Sequence, residues 1–371
     1  MRLRDLPGYV RDTALRMLPH RARTGLRRVG HPGRESPVLL TGNFTLTVRR
    51  LTTVLRGRDA FVLVADSRGI NVWCAAGGGH LTHHDVISAI RTSGVADQVD
   101  QKEVILPQLS ATGVERRKIT EATGFETRWG PARLEDLPAF LDRGRRVHKD
   151  ERKMRFPFWE RMEMAAMWGV PALVIGGLIV GSLGGPIILA AAAASLLTVV
   201  VGVFALLPWL KVGPGWRWPT LGGFAVLGFG IGSVVLAILG RFTPGSTVWV
   251  GASSLLFAGI LSADLEGTTP WYGGYINTFH NPAAVDLIEE KCTGSADCVQ
   301  VCPRDVLQMD GRRRKVVIAR PGQCIQCGAC VVQCPESALR FRYADGSVVE
   351  AETIRGTRMN MLGKRTVRLV D

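Results

Sequence analysis

Between Met164 and Leu210 no side chain carries a charge, and Trp218–Gly240 and Phe242–Ala263 are two further uncharged, apolar stretches. A helix that crosses a bilayer needs about 20 such residues, so the first stretch has room for two helices and the others for one each. Gly184, Gly185 and Pro186 mark the break inside the first. The expectation is a four-helix transmembrane segment within 164–263, with spans near 165–183, 187–207, 220–240 and 246–263. A buried soluble core is the alternative, and four such runs lying almost end to end disfavour it.

Charge orients these spans. The chain has a formal net charge of +14, which calls for an anionic partner: nucleic acid, an acidic protein or a lipid surface. Arg143, Arg145, Arg146, Lys149, Arg152, Lys153, Arg155 and Arg161 crowd just before the first span, the usual mark of a cytoplasmic flank. No nucleic-acid recognition motif accompanies them, so membrane lipid is the expected partner and nucleic acid is not. The loop after span two carries Lys211 and Arg217, the loop after span one no charge, and the loop after span three only Arg241. By the positive-inside rule the chain is a multi-pass protein of the cytoplasmic membrane with both termini in the cytoplasm. Met1–Arg28 is rich in Arg without a long apolar core, so residues 1–35 are expected to be a basic N-terminal tail and no signal peptide. That tail is solvated, or lies on the membrane as a short basic helix.

Residues 36–150 alternate between the two periodicities. Pro37–Leu40, Phe61–Ala65, Val104–Leu106 and Glu126–Trp129 have strand length and composition. Phe44–Leu55, Val86–Ile90, Val114–Thr123 and Leu134–Leu141 have helical spacing. Such alternation predicts an α/β domain with a mainly parallel sheet.

Seven of the eight cysteines fall between Cys292 and Cys334. Their C-x-x-C spacing, without a secretory signal, reads as metal ligation rather than disulfides. Cys324, Cys327, Cys330 and Cys334, followed by Pro335, complete the bacterial two-cluster ferredoxin run C-x-x-C-x-x-C-x-x-x-C-P. Cys324, Cys327 and Cys330 are expected to share a 4Fe–4S cluster with Cys302. A zinc site, needing only four ligands, is the weaker alternative. The first motif keeps Cys292, Cys298, Cys302 and Pro303 but has Ser295 where its second cysteine belongs. A site of Cys292, Cys298 and Cys334 with Ser295 at the open corner leaves three outcomes: a serine-ligated 4Fe–4S cluster, a 3Fe–4S cluster, or none. The reading is one or two iron–sulfur clusters in an α+β ferredoxin domain at 282–345, then a C-terminal tail at 346–371.

Cys74 stands alone in Asn71-Val72-Trp73-Cys74-Ala75-Ala76-Gly77-Gly78-Gly79. By itself it reads as a small buried hydrophobe, or as part of a glycine-permitted close approach to a ligand. The stretch Asn71–Gly77 resembles the cap-helix motif of the corrinoid protein of mercury methylation (HgcA). Thr41-Gly42-Asn43, Asp66-Ser67-Arg68-Gly69-Ile70, Leu106-Pro107-Gln108-Leu109 and Trp129-Gly130-Pro131 are similar to that family too. It is related to the corrinoid iron–sulfur protein of the acetyl-CoA pathway, and its partner is a two-cluster ferredoxin (HgcB). The whole chain thus resembles a fusion of the two over about 36–345.

The resemblance implies a Rossmann-like, corrinoid-binding α/β domain. Cys74 would be the lower axial cobalt ligand and the catalytic residue. Asn71, Val72, Trp73, Ala75, Ala76 and Gly77 would shape the cap against the corrin face, with Thr41 and Asn43 near the cofactor. A soft thiolate donates density to cobalt, and low-potential clusters suit its reduction. The implied activity is a corrinoid-dependent methyltransferase, fed by an external electron donor and by a methyl-donor protein or a methyl-folate-type donor. Three positions depart from the family: Gly78 replaces a lysine, Ser295 replaces a ligand, and Arg355–Asp371 lacks the terminal cysteine pair thought to hand over mercury. Mercury is one acceptor among several. Two other readings stand beside this one: a membrane-bound iron–sulfur electron-transfer protein without corrinoid, and a non-catalytic corrinoid or metal-binding module. His80, His83 and His84 read as a solvated polar patch, or as ligands if His80 and His84 share a helical face.

Overall fold

In the computed structural model the described residues are 18–212, 215–263 and 283–359, with isolated positions at 8, 11–13, 16 and 265. Most of the basic stretch before residue 18, and residues 360–371 of the expected C-terminal tail, lie outside them.

The N-terminal domain is built from β1 (Gly25–Val29), β2 (Val38–Gly42), α1 (Thr45–Val54), β3 (Ala60–Ala65), α2 (Val72–Gly77), α3 (His83–Thr92), α4 (Val95–Gln98), β4 (Glu103–Leu106), α5 (Arg116–Thr123), β5 (Glu126–Trp129) and α6 (Leu137–Asp142). Its sheet has the order β1-β3-β2-β4-β5, parallel except for β1. The chain steps outward from β2 to β3, then returns past β2 to β4. The order therefore reverses between β2 and β4, and a crevice opens there beyond the carboxyl ends of the strands. Both faces are covered. Val38, Leu40, Phe61 and Leu63 join Val86, Ile90 and Ile119 of α3 and α5 on one side. Leu39, Val62 and Val64 join Val48 and Leu51 of α1 and Phe140 of α6 on the other. Burial on both faces is why these strands read as continuous apolar runs rather than alternating ones.

The tail expected over residues 1–35 is corrected at its end, because Gly25–Val29 pairs antiparallel with β3 as an edge strand. An edge strand tolerates charged side chains and partial exposure, so Arg27 and Arg28 hid it from an apolar pattern.

Three helices are long and apolar enough to cross a bilayer, in the segments Phe158–Trp209, Arg217–Ile238 and Pro244–Ser262. They are α7 (Phe158–Leu206), α8 (Arg217–Ile238) and α9 (Pro244–Ala263). Helix α7 is broken at Gly185, whose φ of 78° and ψ of 176° no helix contains. Its two arms fold back on each other. Gly169 faces Val200, while Gly177 and Gly181 face Leu189. Small residues let α8 approach closely: a side chain at Gly228 or Gly232 would collide with the backbone of Ser195 or Ala191 in the second arm. The buried hydroxyls of Ser195 and Ser254 hydrogen-bond between α7 and α9.

The C-terminal domain contains β6 (Ala283–Leu287), α10 (Asp297–Val301), β7 (Leu307–Asp310), β8 (Lys315–Ile318), α11 (Ala329–Gln333), β9 (Leu339–Tyr343), β10 (Val348–Val349) and α12 (Ala351–Gly356). Its two cysteine motifs are internal copies in backbone as well as sequence. The left-handed residues Gly294, Ala296 and Asp305 of the first match Gln326, Gly328 and Ser337 of the second. The expectation that a tail begins at residue 346 is corrected. Strand β10 pairs with β9, and Ala351 and Ile354 of α12 are buried in the domain's core.

Candidate functional site: the Cys74 helix and the cysteine loops

Helix α2 has six residues, too few to be stable alone. It is held from both ends. Asn71 caps it, its Oδ1 accepting from Cys74 N at 3.0 Å. The lead-in loop is pinned by Asn43, whose Oδ1 accepts from Ser67 N at 2.9 Å, Ser67 Oγ at 3.1 Å and Gly69 N at 2.9 Å. The Asn43 Nδ2 donates to Asp66 at 3.0 Å. At the far end Gly77 O accepts from Met359 N at 2.7 Å.

A cleft partly open to solvent lies at the crevice between β2 and β4. Thr41, Asn71, Val72 and Trp73 line it, with Pro107 and Pro131 from the loops after β4 and β5. Cys74 comes next on the same helix, half-buried, and Ala75, Ala76 and Gly77 are buried behind it. Asn43 is buried and committed to the 66–69 loop, so it serves the site by holding the Cys74 helix. Residues after β5 close the cleft: Arg133 pairs with Glu160 at 2.8 Å, yet its Nε is buried without a partner. An open cleft that is apolar with a few amide and guanidinium edges fits the chemistry of a planar group rimmed by polar substituents.

The 3-10 turn Gln108–Thr112 and the residue after it back this helix. A Cβ on Gly113 would lie 2.0 Å from Ala76 O, a backbone atom that cannot yield. Gly113→Ala should therefore cost about 3 kcal/mol, read as a lower Tm, and should loosen cofactor binding. A Cβ on Gly77 would instead meet the Met359 methyl at 1.5 Å. A thioether can move aside, so Gly77→Ala should cost about 1 kcal/mol; equal effects of the two would disprove this account of the helix's seating.

His80 and His84 do not share a helical face. Helix α3 starts at His83, capped by Thr82 and Asp85, and His80 lies in the preceding turn. Burial lowers the pKa of His83, with Lys118 adding to the effect. Among the described residues no three His, Cys, Asp or Glu side chains converge on one ion-sized position.

The thiols lie near one another instead. Cys298 has Cys334 and Cys292 as neighbouring thiols, while Cys330 has Cys302, Cys327 and Cys324, with Cys298 also in range. Ser295, Cys292, Cys298 and Cys334 line a small pocket. Burial, then the neighbouring thiols, push Cys298 up to about 12. Burial likewise pushes Cys324 up to about 11. Such thiols stay protonated unless iron displaces the proton. Amide donors are already aimed at two sulfurs: Val306 N lies 3.3 Å from Cys302 Sγ and Ala338 N lies 3.2 Å from Cys334 Sγ. Hydrogen bonds of this kind tune cluster ligands, so both loops fit the clusters expected of them.

The second cysteine loop is buried in one core with the Cys74 helix, and the Gln108–Thr112 turn packs against both that helix and α11. Ile325, Cys327 and Ala329 share one core with Trp73, Ala75, Ala111 and Met359. The other buried cysteines belong to the ferredoxin's own core. Polar contacts lock this seam. Gln333 Nε2 donates to Ala111 O at 2.9 Å and Val114 O at 2.8 Å, and Arg116 pairs with Asp297 at 3.1 Å. No sequence pattern pointed to Gln333, Gly113 or Met359, because their roles exist only across the seam. Gln333→Leu leaves two buried carbonyls unsatisfied and should cost about 3 kcal/mol. The expected readout is faster hydrogen exchange at Ser110, Gly113 and Val114; unchanged exchange would mean the seam does not depend on this side chain.

Comparison with known proteins divides the chain in the same way. Residues 16–141 match the family model described as CO dehydrogenase/acetyl-CoA synthase delta subunit, and residues 284–335 match a 4Fe-4S dicluster domain. Among curated relatives, the gamma subunit of the acetyl-CoA decarbonylase/synthase complex of Methanopyrus kandleri is 32% identical over 34% of this chain and 27% of its own length. The gamma subunit of Methanothermobacter thermautotrophicus is 32% identical with the same coverage. That of Methanocaldococcus jannaschii is 33% identical over 29% of this chain and 22% of its own. The chain thus spans about a quarter of the length of these relatives.

Proposed function

We propose that this chain is a membrane-anchored, corrinoid-dependent methyl-transfer protein that carries its own electron donor, arranged as in the mercury-methylation proteins with HgcA-like and HgcB-like parts fused. The observation that carries the reading is the seam: Ile325, Cys327 and Ala329 of the second cysteine loop are buried in one core with the helix that holds Cys74, beside an apolar cleft open to solvent. The likeness of residues 16–141 to subunits of an acetyl-CoA-handling complex supports it.

Bound there, a corrinoid would supply a cobalt centre able to take up and release a methyl group. The protein's part follows from its own residues. In the Rossmann-like domain, Thr41 at the end of β2, Pro107 and Leu109 after β4 and the first turn of α2 would wall the cofactor's place. Asn71 and Asn43 hold the helix that carries Cys74, whose thiolate would hold the cobalt. The buried seam excludes water between that helix and the second cysteine loop. The methyl donor, whether a protein or a methyl-folate, and the acceptor would reach the cleft from its open side.

Membrane anchoring in the cytoplasmic membrane is supported by the bundle's surface. Leu178, Leu183, Val226, Ile238, Val248 and Leu255 are exposed on all sides of it. Trp159, Trp209, Trp216 and Trp218 are exposed at one end, with Arg161 over Trp209 and Lys211 over Trp216. Aromatic and basic residues together mark a bilayer interface. With α7 counted as two arms, four crossings would put both soluble domains on that cytoplasmic end. Arg217 reaches Ser262 O there at 3.2 Å, joining the start of α8 to the end of α9.

The test is anaerobic expression with a corrinoid supply, followed by cobalt and iron counts per chain. Near-stoichiometric cobalt with iron supports the reading. Iron without cobalt leaves the second one, a membrane-bound iron–sulfur electron-transfer protein.

A further inference from the structure

The two cysteine motifs are internal copies, but the equivalent loop positions 295 and 327 differ in burial. Cys327 of the second is buried under the α/β domain. Its counterpart Ser295 is exposed, as is Thr293 beside it. Over the Ser295 loop stands the β7–β8 turn. Gly294 is seated so tightly beneath it that an added Cβ would fall 1.9 Å from Arg314 O. The turn ends in Arg312, Arg313, Arg314 and Lys315, the three arginines exposed. Local acids are already engaged. Asp310 accepts from the backbone of Arg312 and Arg313 at 2.8 and 3.2 Å, and Glu289 pairs with Arg313 at 3.5 Å. Lys315 Nζ is tied to Glu289 O at 2.8 Å. Among the described residues, no ion pair holds the Arg312 or Arg314 side chain.

We propose that the β7–β8 turn and the Ser295 loop form the docking surface for an acidic one-electron carrier protein, which feeds the ferredoxin domain at its exposed cysteine loop. The proposal rests on the iron–sulfur part of the reading above and not on the corrinoid. In the step the carrier's reduced centre gives up one electron, the iron of the Ser295 site gains it, and no proton or group moves. The electron then has one buried direction to travel, through the Cys324–Cys330 loop toward α2. Free guanidinium groups beside an exposed cysteine loop suit an acidic surface because complementary charge raises the encounter rate.

The experiment uses the full chain in detergent, cluster-loaded, with a reduced acidic flavodoxin as probe. Stopped-flow bleaching of iron–sulfur absorbance is followed for the parent, for Arg312→Glu/Arg314→Glu, and for the charge-matched control Arg23→Glu/Arg91→Glu. Binding of the oxidised flavodoxin to each is measured separately. The expected result is at least a tenfold slower reduction and weaker binding for the 312/314 variant alone, with the parent's rate falling steeply with salt. Dithionite, which needs no docking, should reduce all three equally. Equal flavodoxin rates and binding in parent and 312/314 variant would overturn the proposal. Iron for only one cluster would overturn it too, because the Ser295 site would be empty. A parent with no dithionite-bleachable absorbance would sink the iron–sulfur reading itself.

Discussion

A Cys74→Ala variant, loaded with cobalamin in the same way as the parent, should lose the thiolate–cobalt spectral signature and roughly 100-fold or more of its methyl-transfer rate. Its iron content should not change. The substitution is a clean one for local reasons. Alanine is the best helix former, and the hydrogen bond from residue 74 to Asn71 uses the backbone N–H, which alanine keeps. The helix therefore stays capped, and Gly77 stays bonded to Met359. What is removed is the sulfur. Asn71→Ala makes the complementary test. It keeps the sulfur and removes the cap, at a cost of about 1 kcal/mol, so it should weaken cobalt coordination without erasing its signature. Unchanged cobalt spectra in Cys74→Ala would withdraw the axial role and favour the chain as an electron-transfer protein.

The second large effect is expected at the damaged motif. Ser295 lines the same pocket as Cys292, Cys298 and Cys334, and it occupies the place that Cys327 holds in the other copy. Ser295→Cys completes the ligand set with a soft donor where a hard oxygen stood. If the parent holds a three-iron cluster, the variant should gain about one iron per chain and lose the oxidised three-iron EPR signal. A gain of about four irons would mean the parent site is empty. No gain, with a changed potential, would mean serine ligation. Identical iron counts, spectra and potentials would show that residue 295 does not face a cluster at all.

Much of this organisation can be read along the chain wherever the deciding interaction is local. The parallel strands announce themselves because both faces are buried and every residue of Ala60–Ala65 must be apolar or small. The fold-back in α7 is visible in Gly184, Gly185 and Pro186, since only glycine adopts the conformation at Gly185 without strain. Cysteine spacing points to the two thiol groups because Cys324, Cys327 and Cys330 sit within one loop, and Cys292 and Cys298 within its copy. Three features are not legible. Strand β1 is half-exposed and carries Arg27 and Arg28, so its only signature is its pairing with β3. The spacing of His80 and His84 suggests one helix face, but Thr82 and Asp85 form a capping box that starts the helix later. The third is the seam itself: Gln333 finds its acceptors far away in sequence, and nothing near residue 333 hints at them.

Burial of the second cysteine loop in one core with the Cys74 helix has a kinetic consequence. Two separate proteins must meet before a reducing equivalent passes between them, so their rate depends on how much of each the cell makes. Here both modules lie in one polypeptide, so under the proposed function the hand-over would be first order. Dilution should leave its rate untouched, and the supply of the two modules cannot fall out of step.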